Sequence, residues 1–201
     1  MERGTVIKST GSWYQVYSDA GTVVQCRLRG QYRLKGLRST NPVAVGDKVA
    51  FEYEPHGDSA VITDIFDRHN FIIRKATNLS KASHIIAANI DQAVLVATLD
   101  QPRTSTGFID RFLVTAEAYH IPVLIVFNKT DLYDETLLSA MRKLEQVYQK
   151  AGYETMSVSA LTYQGIDPLK QRLTDKVSLF SGHSGVGKSA LLNVIDPALK
   201  L

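Results

Sequence analysis

The residues Gly182-His183-Ser184-Gly185-Val186-Gly187-Lys188-Ser189 have the types and spacing of a phosphate cradle. They fit the pattern G-x-x-x-x-G-K-[ST], which cradles phosphates where a strand leads into it and a helix leaves it. Both are expected here, from the apolar run Val177-Ser178-Leu179-Phe180 before it and the helical pattern Ala190-Leu191-Leu192-Asn193-Val194-Ile195 after it. Glycines let the backbone curl so that successive N–H groups converge on anionic oxygens, and the helix N-terminus adds partial positive charge. Lys188 would reach the β- and γ-phosphates as a point charge, and the Ser189 hydroxyl would be a ligand for Mg2+ shared with phosphate oxygens. Gly182 through Ala190 are thus expected to touch a nucleoside triphosphate, with Lys188 and Ser189 as the catalytic members. The bare pattern also fits a glycine-rich turn with an incidental lysine.

Well upstream, Asn128-Lys129-Thr130-Asp131 follows Ile121-Pro122-Val123-Leu124-Ile125-Val126-Phe127, an apolar run of the kind that forms a buried parallel strand. The tetrapeptide then sits at the strand's carboxyl end, where open α/β sheets bind ligands. There the Asp131 carboxylate could accept two hydrogen bonds from guanine, whereas adenine has no donor at those positions. A buried Asp131 facing adenine would stay unpaired, so strong discrimination is expected. Asn128 is expected to bond the other edge of the base, and the Lys129 stem to lie over the ring with its ammonium towards the cradle. By itself the tetrapeptide equally makes an exposed turn. A third group, Ser159-Ala160-Leu161, follows the short strand Glu154-Thr155-Met156-Ser157-Val158. A small residue there would let the Ala160 N–H approach guanine O6.

The elements that must position these groups alternate along the chain. Gln92 to Leu99 reads as a buried strand, and Phe108, Ile109, Phe112, Leu113 and Ala116 recur at helical spacing. A helix is expected from about Asp134 to Ala151, with Leu137, Leu138, Met141, Leu144, Val147 and Tyr148 as its inward stripe. Ile166, Leu169 and Leu173 mark a last helix before the cradle's strand, which completes a parallel sheet with helices on both faces. The apolar stripes read as core, and His56, His69 and His120 have no ligand-like spacing.

Residues up to about Asp67 read differently, as short alternating segments parted by Gly, Ser and Asp. Gly4–Lys8, Trp13–Tyr17, Val23–Leu28, Val45–Phe51 and Ala60–Ile65 give the strand count of an OB-fold barrel, a fold that often binds oligonucleotides. Arg27, Arg29, Arg33, Lys35 and Arg38, with Tyr32 interleaved, suit an RNA-phosphate footprint with a stacking ring; they also suit a solvated loop. Trp13 is expected in the barrel core or at its rim. The domains expected are residues 1–67 as the barrel, 68–90 as a connector with extra charge from Arg74, Lys75, Lys81 and His84, and 91–201 as the nucleotide domain.

The order Asn-Lys-x-Asp, Ser-Ala, then Gly-x-x-x-x-Gly-Lys-Ser resembles that of the circularly permuted GTPases. With Ser83-His84-Ile85-Ile86-Ala87-Ala88-Asn89-Ile90-Asp91-Gln92 and the leading β-domain, the chain is similar over nearly its whole length to the ribosome small subunit-dependent GTPase A family. The resemblance implies a cytoplasmic, monomeric factor that binds the small ribosomal subunit and its rRNA late in assembly, its GTP hydrolysis stimulated by the subunit. It also implies Mg2+ with GTP or GDP, and Zn2+ in a C-terminal domain of Cys and His ligands. The sequence departs from that pattern, because no Asp-x-x-Gly occurs, Cys26 is the single cysteine, and the chain ends at Asp196-Pro197-Ala198-Leu199-Lys200-Leu201. A truncated G domain is therefore expected, lacking the switches and the zinc domain, binding guanine nucleotide weakly and hydrolysing it poorly. Two other readings stay open, an ATP-using P-loop enzyme and a non-hydrolysing rRNA-binding adaptor with a vestigial G domain.

Composition sets outer bounds. With 44% hydrophobic and 21% charged residues and no apolar run near the ~20 residues of a membrane span, a soluble intracellular protein with no membrane partner is expected. Met1-Glu2-Arg3 leads into polar alternation and not a signal peptide, and one cysteine forms no disulfide within the chain. The net charge of +3 is too small to name a partner, so that argument rests on where the charge lies.

Overall fold

The computed structural model describes residues 1–28, 42–54, 59–74 and 84–201, with Arg74 and His84 described by their backbone alone. These residues form two compact units, Met1–Ile90 and Asp91–Leu201.

In the first unit, segments that alternate apolar and polar residues close on themselves, which leaves no sheet edge unpaired. The strands are β1 (Glu2–Ser9), β2 (Trp13–Ser18), β3 (Val23–Leu28), β4 (Lys48–Tyr53) and β5 (Ser59–Ile65). They form a closed barrel in the order β1-β2-β3-β5-β4, with β3 and β5 parallel and the other pairs antiparallel. This is the expected five-stranded OB barrel. Its inward residues, among them Val6, Tyr14, Val16, Cys26, Phe51 and Ile62, are buried in one core. Burial pushes the Cys26 thiol up to about 11, so it behaves as a small apolar side chain.

The stretch expected as a connector is built into this first unit. It contributes β6 (Phe71–Arg74) and β7 (His84–Ala88), an antiparallel pair. Its ends are pinned to the barrel by polar side chains. Arg68 grips both carboxylate oxygens of fully buried Asp47 at 2.6 Å and also donates to the Pro42 carbonyl. Asn89 donates to the Gly46 carbonyl and accepts from the His69 N–H, while Asn70 exchanges two 2.7 Å bonds with Ile90. The asparagines that suggest a linker are here partners for backbone groups that would otherwise be buried unpaired. Lys75 and Lys81 lie outside the described residues.

In the second unit the strands β8 (Gln92–Ala97), β9 (Val123–Phe127), β10 (Glu154–Ser157) and β11 (Ser178–Ser181) form a parallel sheet in the order β10-β9-β8-β11. Between them run α1 (Thr106–Ala118), α2 (Glu135–Lys150) and α3 (Ile166–Leu173), and α4 (Lys188–Ile195) follows β11. Val94, Val96, Leu124 and Val126 pack with Ile166 and Leu169 of α3 and Leu191 of α4. The alternate residues, such as Leu95 and Ile125, point to the opposite face, where α1 packs through buried Ile109 and Leu113. Ser105 and Asp134 cap α1 and α2 by accepting from the Phe108 and Leu137 N–H groups. In the predicted stripe of α2, Met141 and Tyr148 are buried, but Val147 is 59% exposed because it falls one position off the face that the helix turns inward. No helix among the described residues is long and apolar enough to cross a membrane.

Changing Arg68→Ala would leave the Asp47 carboxylate buried without its counter-ion. We expect the first unit to lose ~3–5 kcal/mol. Chemical denaturation followed by the fluorescence of Trp13, the single tryptophan, measures this.

Candidate nucleotide-binding site

The cradle expected from the sequence lies between the end of β11 and the start of α4. Gly182 and Gly187 hold φ of +145° and +92°, conformations that L side chains rarely adopt. A Cβ on Gly182 would lie 2.3 Å from the Val96 carbonyl oxygen, and one on Gly187 would lie 2.5 Å from Asn128 Nδ2. Val186 is buried in the core beneath the loop, while Ser184, Gly185 and Ser189 are exposed. Lys188 donates to the carbonyls of Gly182 at 2.9 Å and His183 at 2.7 Å, so its ammonium closes the loop on itself. The His183 ring stacks on Phe108 of α1 with centroids 3.9 Å apart, which anchors the loop to the helix beside it.

The end of β9 is organised around Asn128, which is 1% exposed. Its Nδ2 donates to the Val186 carbonyl at 2.9 Å, and its Oδ1 accepts from the Ala160 N–H at 3.3 Å. The sequence placed this side chain on the base and the Ala160 N–H on guanine O6. In the structure the two bond each other, as burial between the loops demands a partner for each polar atom. Lys129 takes a left-handed conformation with φ of +65°, and its ammonium donates to the Gln101 carbonyl at 2.6 Å, not to the cradle. Thr130 is turned inward, with its N–H and hydroxyl both donating to the Val158 carbonyl.

Asp131 is exposed, and its carboxylate accepts from the Ser159 hydroxyl. Ser159 is fully buried and also accepts from the Thr162 N–H, so it aims Asp131 from behind. Burial of Asp131 would have to come from a ligand lying against it.

These stretches meet at one cavity of about 310 Å³, lined by Asn128, Lys129, Asp131, Leu132, Ala160, Leu161, Gly187 and Ala190. Its size lies at the lower end for small-molecule sites. Of the expected site residues, Thr130, Ser159, Gly182, His183, Ser184, Gly185, Val186, Lys188 and Ser189 are not among the lining residues, and Ser159 reaches the wall through its bond to Asp131. Leu132 and Leu161, to which the sequence reading gave no role, expose 52% and 76% of their surface. Their positions beside Asp131 and Ala160 were the available signal. Tyr133 was also passed over, because its hydroxyl partner Leu99 is remote in the chain.

Of the basic group in the first unit, Arg29, Tyr32, Arg33, Lys35 and Arg38 lie outside the described residues. Arg27 makes a double bond pattern with Glu54, at 2.9 and 2.7 Å, and lies over the Trp13 ring at 5.2 Å. Hydrogen bonds from Ser59 and Arg27 hold the Glu54 carboxyl below its ordinary value. Trp13, expected in the core or at the rim, is 43% exposed and carries this guanidinium on its face.

A family model described as RsgA GTPase matches residues 65–201, and one described as RsgA N-terminal domain matches residues 3–61. The chain belongs to the RsgA GTPase family. Small ribosomal subunit biogenesis GTPase RsgA of Bacteroides fragilis is 54% identical over 99% of this chain and 64% of its own length. The RsgA of Flavobacterium johnsoniae is 51% identical over 98% of this chain and 62% of its own. The chain thus spans less than two thirds of these curated RsgA relatives. Among solved structures, YjeQ from Thermotoga maritima superposes with a TM-score of 0.83 at 40% identity, covering all of this chain and 66% of that one. YloQ, described as a circularly permuted GTPase, superposes at 0.75 with 33% identity, covering 98% of this chain and 66% of that one. The expected architecture, an OB barrel followed by a permuted P-loop domain, is therefore that of RsgA relatives.

Because Asn128 bonds both neighbouring loops, Asn128→Ala would strand the Val186 carbonyl and the Ala160 N–H. Far-UV circular dichroism during urea unfolding should show the second unit losing ~1–3 kcal/mol. The Trp13 fluorescence transition of the first unit should stay where it is.

Proposed function

We propose that this chain is the barrel and nucleotide-binding part of a GTP-hydrolysing factor that binds the small ribosomal subunit and assists its late maturation. The observation that carries this reading is that the wall of one cavity combines Asp131, Ala160 and Gly187. In it, Asp131 would accept from the guanine ring N–H and amino group, with Leu132 and Leu161 against the ring and the Lys129 stem on the cradle side. Phosphates would displace the Gly182 and His183 carbonyls from Lys188 and take the loop N–H groups of residues 182–190 as donors.

The cradle fits a nucleotide with its metal. Ser184 and Gly185 leave the loop backbone exposed, and Ser189 stands exposed at the first turn of α4. There its hydroxyl would hold Mg2+, which neutralises phosphate charge when bound. This chain's own groups bind and orient. Asp131 fixes the base, Asn128 fixes the distance between base and phosphate ends, and Lys188 holds the β- and γ-phosphates. Family membership and the names of the relatives support the ribosomal part of the reading; a cytoplasmic, monomeric protein and a Zn2+ site in a C-terminal domain of the whole protein rest on the family resemblance alone. Arg27, with Arg29, Tyr32, Arg33, Lys35 and Arg38, would then face ribosomal RNA.

Equilibrium competition tests the base reading: unlabelled GDP should displace a fluorescent guanine nucleotide, and ATP should not. Displacement by ATP would favour an ATP-using enzyme. Asp131→Asn should weaken GDP by ~100-fold and favour the xanthine nucleotide, whose ring oxygen replaces the amino donor. Turnover by the whole protein should rise with added small subunits, and a flat response would favour a non-hydrolysing adaptor.

A further inference from the structure

We propose that Tyr133 is a positioning residue for base selectivity, its hydroxyl locking the turn that presents Asp131 to the loop that follows β8. The inference rests on the guanine reading above and adds to it a residue outside the Asn-Lys-Thr-Asp and Ser-Ala motifs.

Tyr133 is 7% exposed, and its hydroxyl is used in both senses. It donates to the Asn128 carbonyl at 2.8 Å and accepts from the Leu99 N–H at 2.8 Å. The ends of β8 and β9 are thereby joined by one oxygen atom. The loop that receives this bond is stiff, since the Thr104 N–H donates to the Thr98 carbonyl and the Thr104 hydroxyl accepts from the Thr98 N–H. The same loop takes the Lys129 ammonium on the Gln101 carbonyl. Two bonds therefore tie the turn to one loop, one from the ammonium of Lys129 at its start and one from the Leu99 N–H to Tyr133 at its end, and Lys129 itself is left-handed, a conformation disfavoured for lysine and held only by its surroundings. Between Lys129 and Tyr133 the chain makes a tight turn, with Leu132 N–H on the Lys129 carbonyl and Tyr133 N–H on the Thr130 carbonyl. Asp131 sits at the middle of that turn. Burial first, with Asp100 and Asp131 adding to it, raises the phenol above its ordinary value, so the hydroxyl keeps its proton.

Two parallel hydrogen bonds to guanine depend on the angle of the carboxylate, whereas phosphate binding depends on the cradle. Freeing the turn should therefore cost base discrimination more than overall affinity. Tyr133→Phe keeps the ring and removes only the oxygen. Its affinities for GDP, for IDP, which lacks the exocyclic amino group, and for ADP would be measured by displacement of a fluorescent nucleotide from the full chain. Tyr148→Phe serves as the matched control, since that buried hydroxyl bonds Asp110 between α2 and α1 and does not line the cavity.

The expected result is that Y133F narrows the GDP-over-IDP preference about tenfold while Y148F leaves it at the wild-type ratio. An unchanged ratio in Y133F, or an equal change in Y148F, would overturn the inference and leave the guanine reading standing. A wild type that does not prefer GDP to ADP would overturn both. Should Y133F not fold, amide exchange in the wild type decides the matter. Reciprocity requires GDP to slow exchange at Leu99 together with the Asp131 turn, and an unaffected Leu99 beside a protected cradle would refute the role.

Discussion

The carboxamide of Asn128 sets the geometry on which the rest of the site depends. It is buried at the carboxyl rim of the sheet, bonded on one side to the Val186 carbonyl in the cradle and on the other to the Ala160 N–H after β10. Neither bond can be lengthened cheaply, because a buried polar atom without a partner costs far more than a formed bond contributes. The spacing between the Gly182–Ser189 loop and the loop after β10 is thus built into the protein. The same contact explains a glycine: Asn128 Nδ2 stands where a side chain at 187 would have to be.

Around that centre, labour is divided between residues that face the cavity and residues that hold those in place. Asp131, Leu132, Leu161 and Ala190 line it. Thr130 is fastened to Val158, Ser159 to Asp131, and His183 to Phe108. Members of one sequence motif fall into both groups, because neighbours on a tight turn point to opposite sides. The cradle closes the chain order from the other end. β11 comes last in sequence yet lies beside β8, so residues 128, 160 and 187 share one rim. A parallel sheet depends on which strands adjoin, and the order in which the chain visits them is secondary.

The first unit follows a similar rule with different chemistry. Its barrel core is apolar and closed, and the residues after β5 are held to it by polar side chains, Arg68 on Asp47 and Asn89 on Gly46, while Asn70 on Ile90 ties the two ends of that segment together. Burying the Asp47 carboxylate is tolerable only because Arg68 meets both of its oxygens. On the outer face, Arg27 is engaged by Glu54 and Trp13, so its charge is partly compensated within the protein.

Much of this was legible in the chain. The barrel strands, the alternation of strands and helices, and the placing of the Gly182–Ser189 loop and the Asn128–Asp131 tetrapeptide at the ends of strands were all recoverable, since each is encoded in local periodicity or fixed spacing. α2 begins and ends within a residue of its expected bounds for the same reason. What the sequence could not supply were the partners of its polar atoms. Asn128 meeting Ala160, Lys129 meeting Gln101, Tyr133 meeting Leu99 and Arg68 meeting Asp47 all join residues that only the packed fold brings together. The exposure of Val147 belongs there too, because a helix's apolar stripe does not say which of its margins the neighbouring elements will cover. Local pattern determined which elements and motifs exist. Tertiary structure decided which atoms were left to face a ligand, because hydrogen-bond satisfaction in a buried rim is settled among all the elements at once.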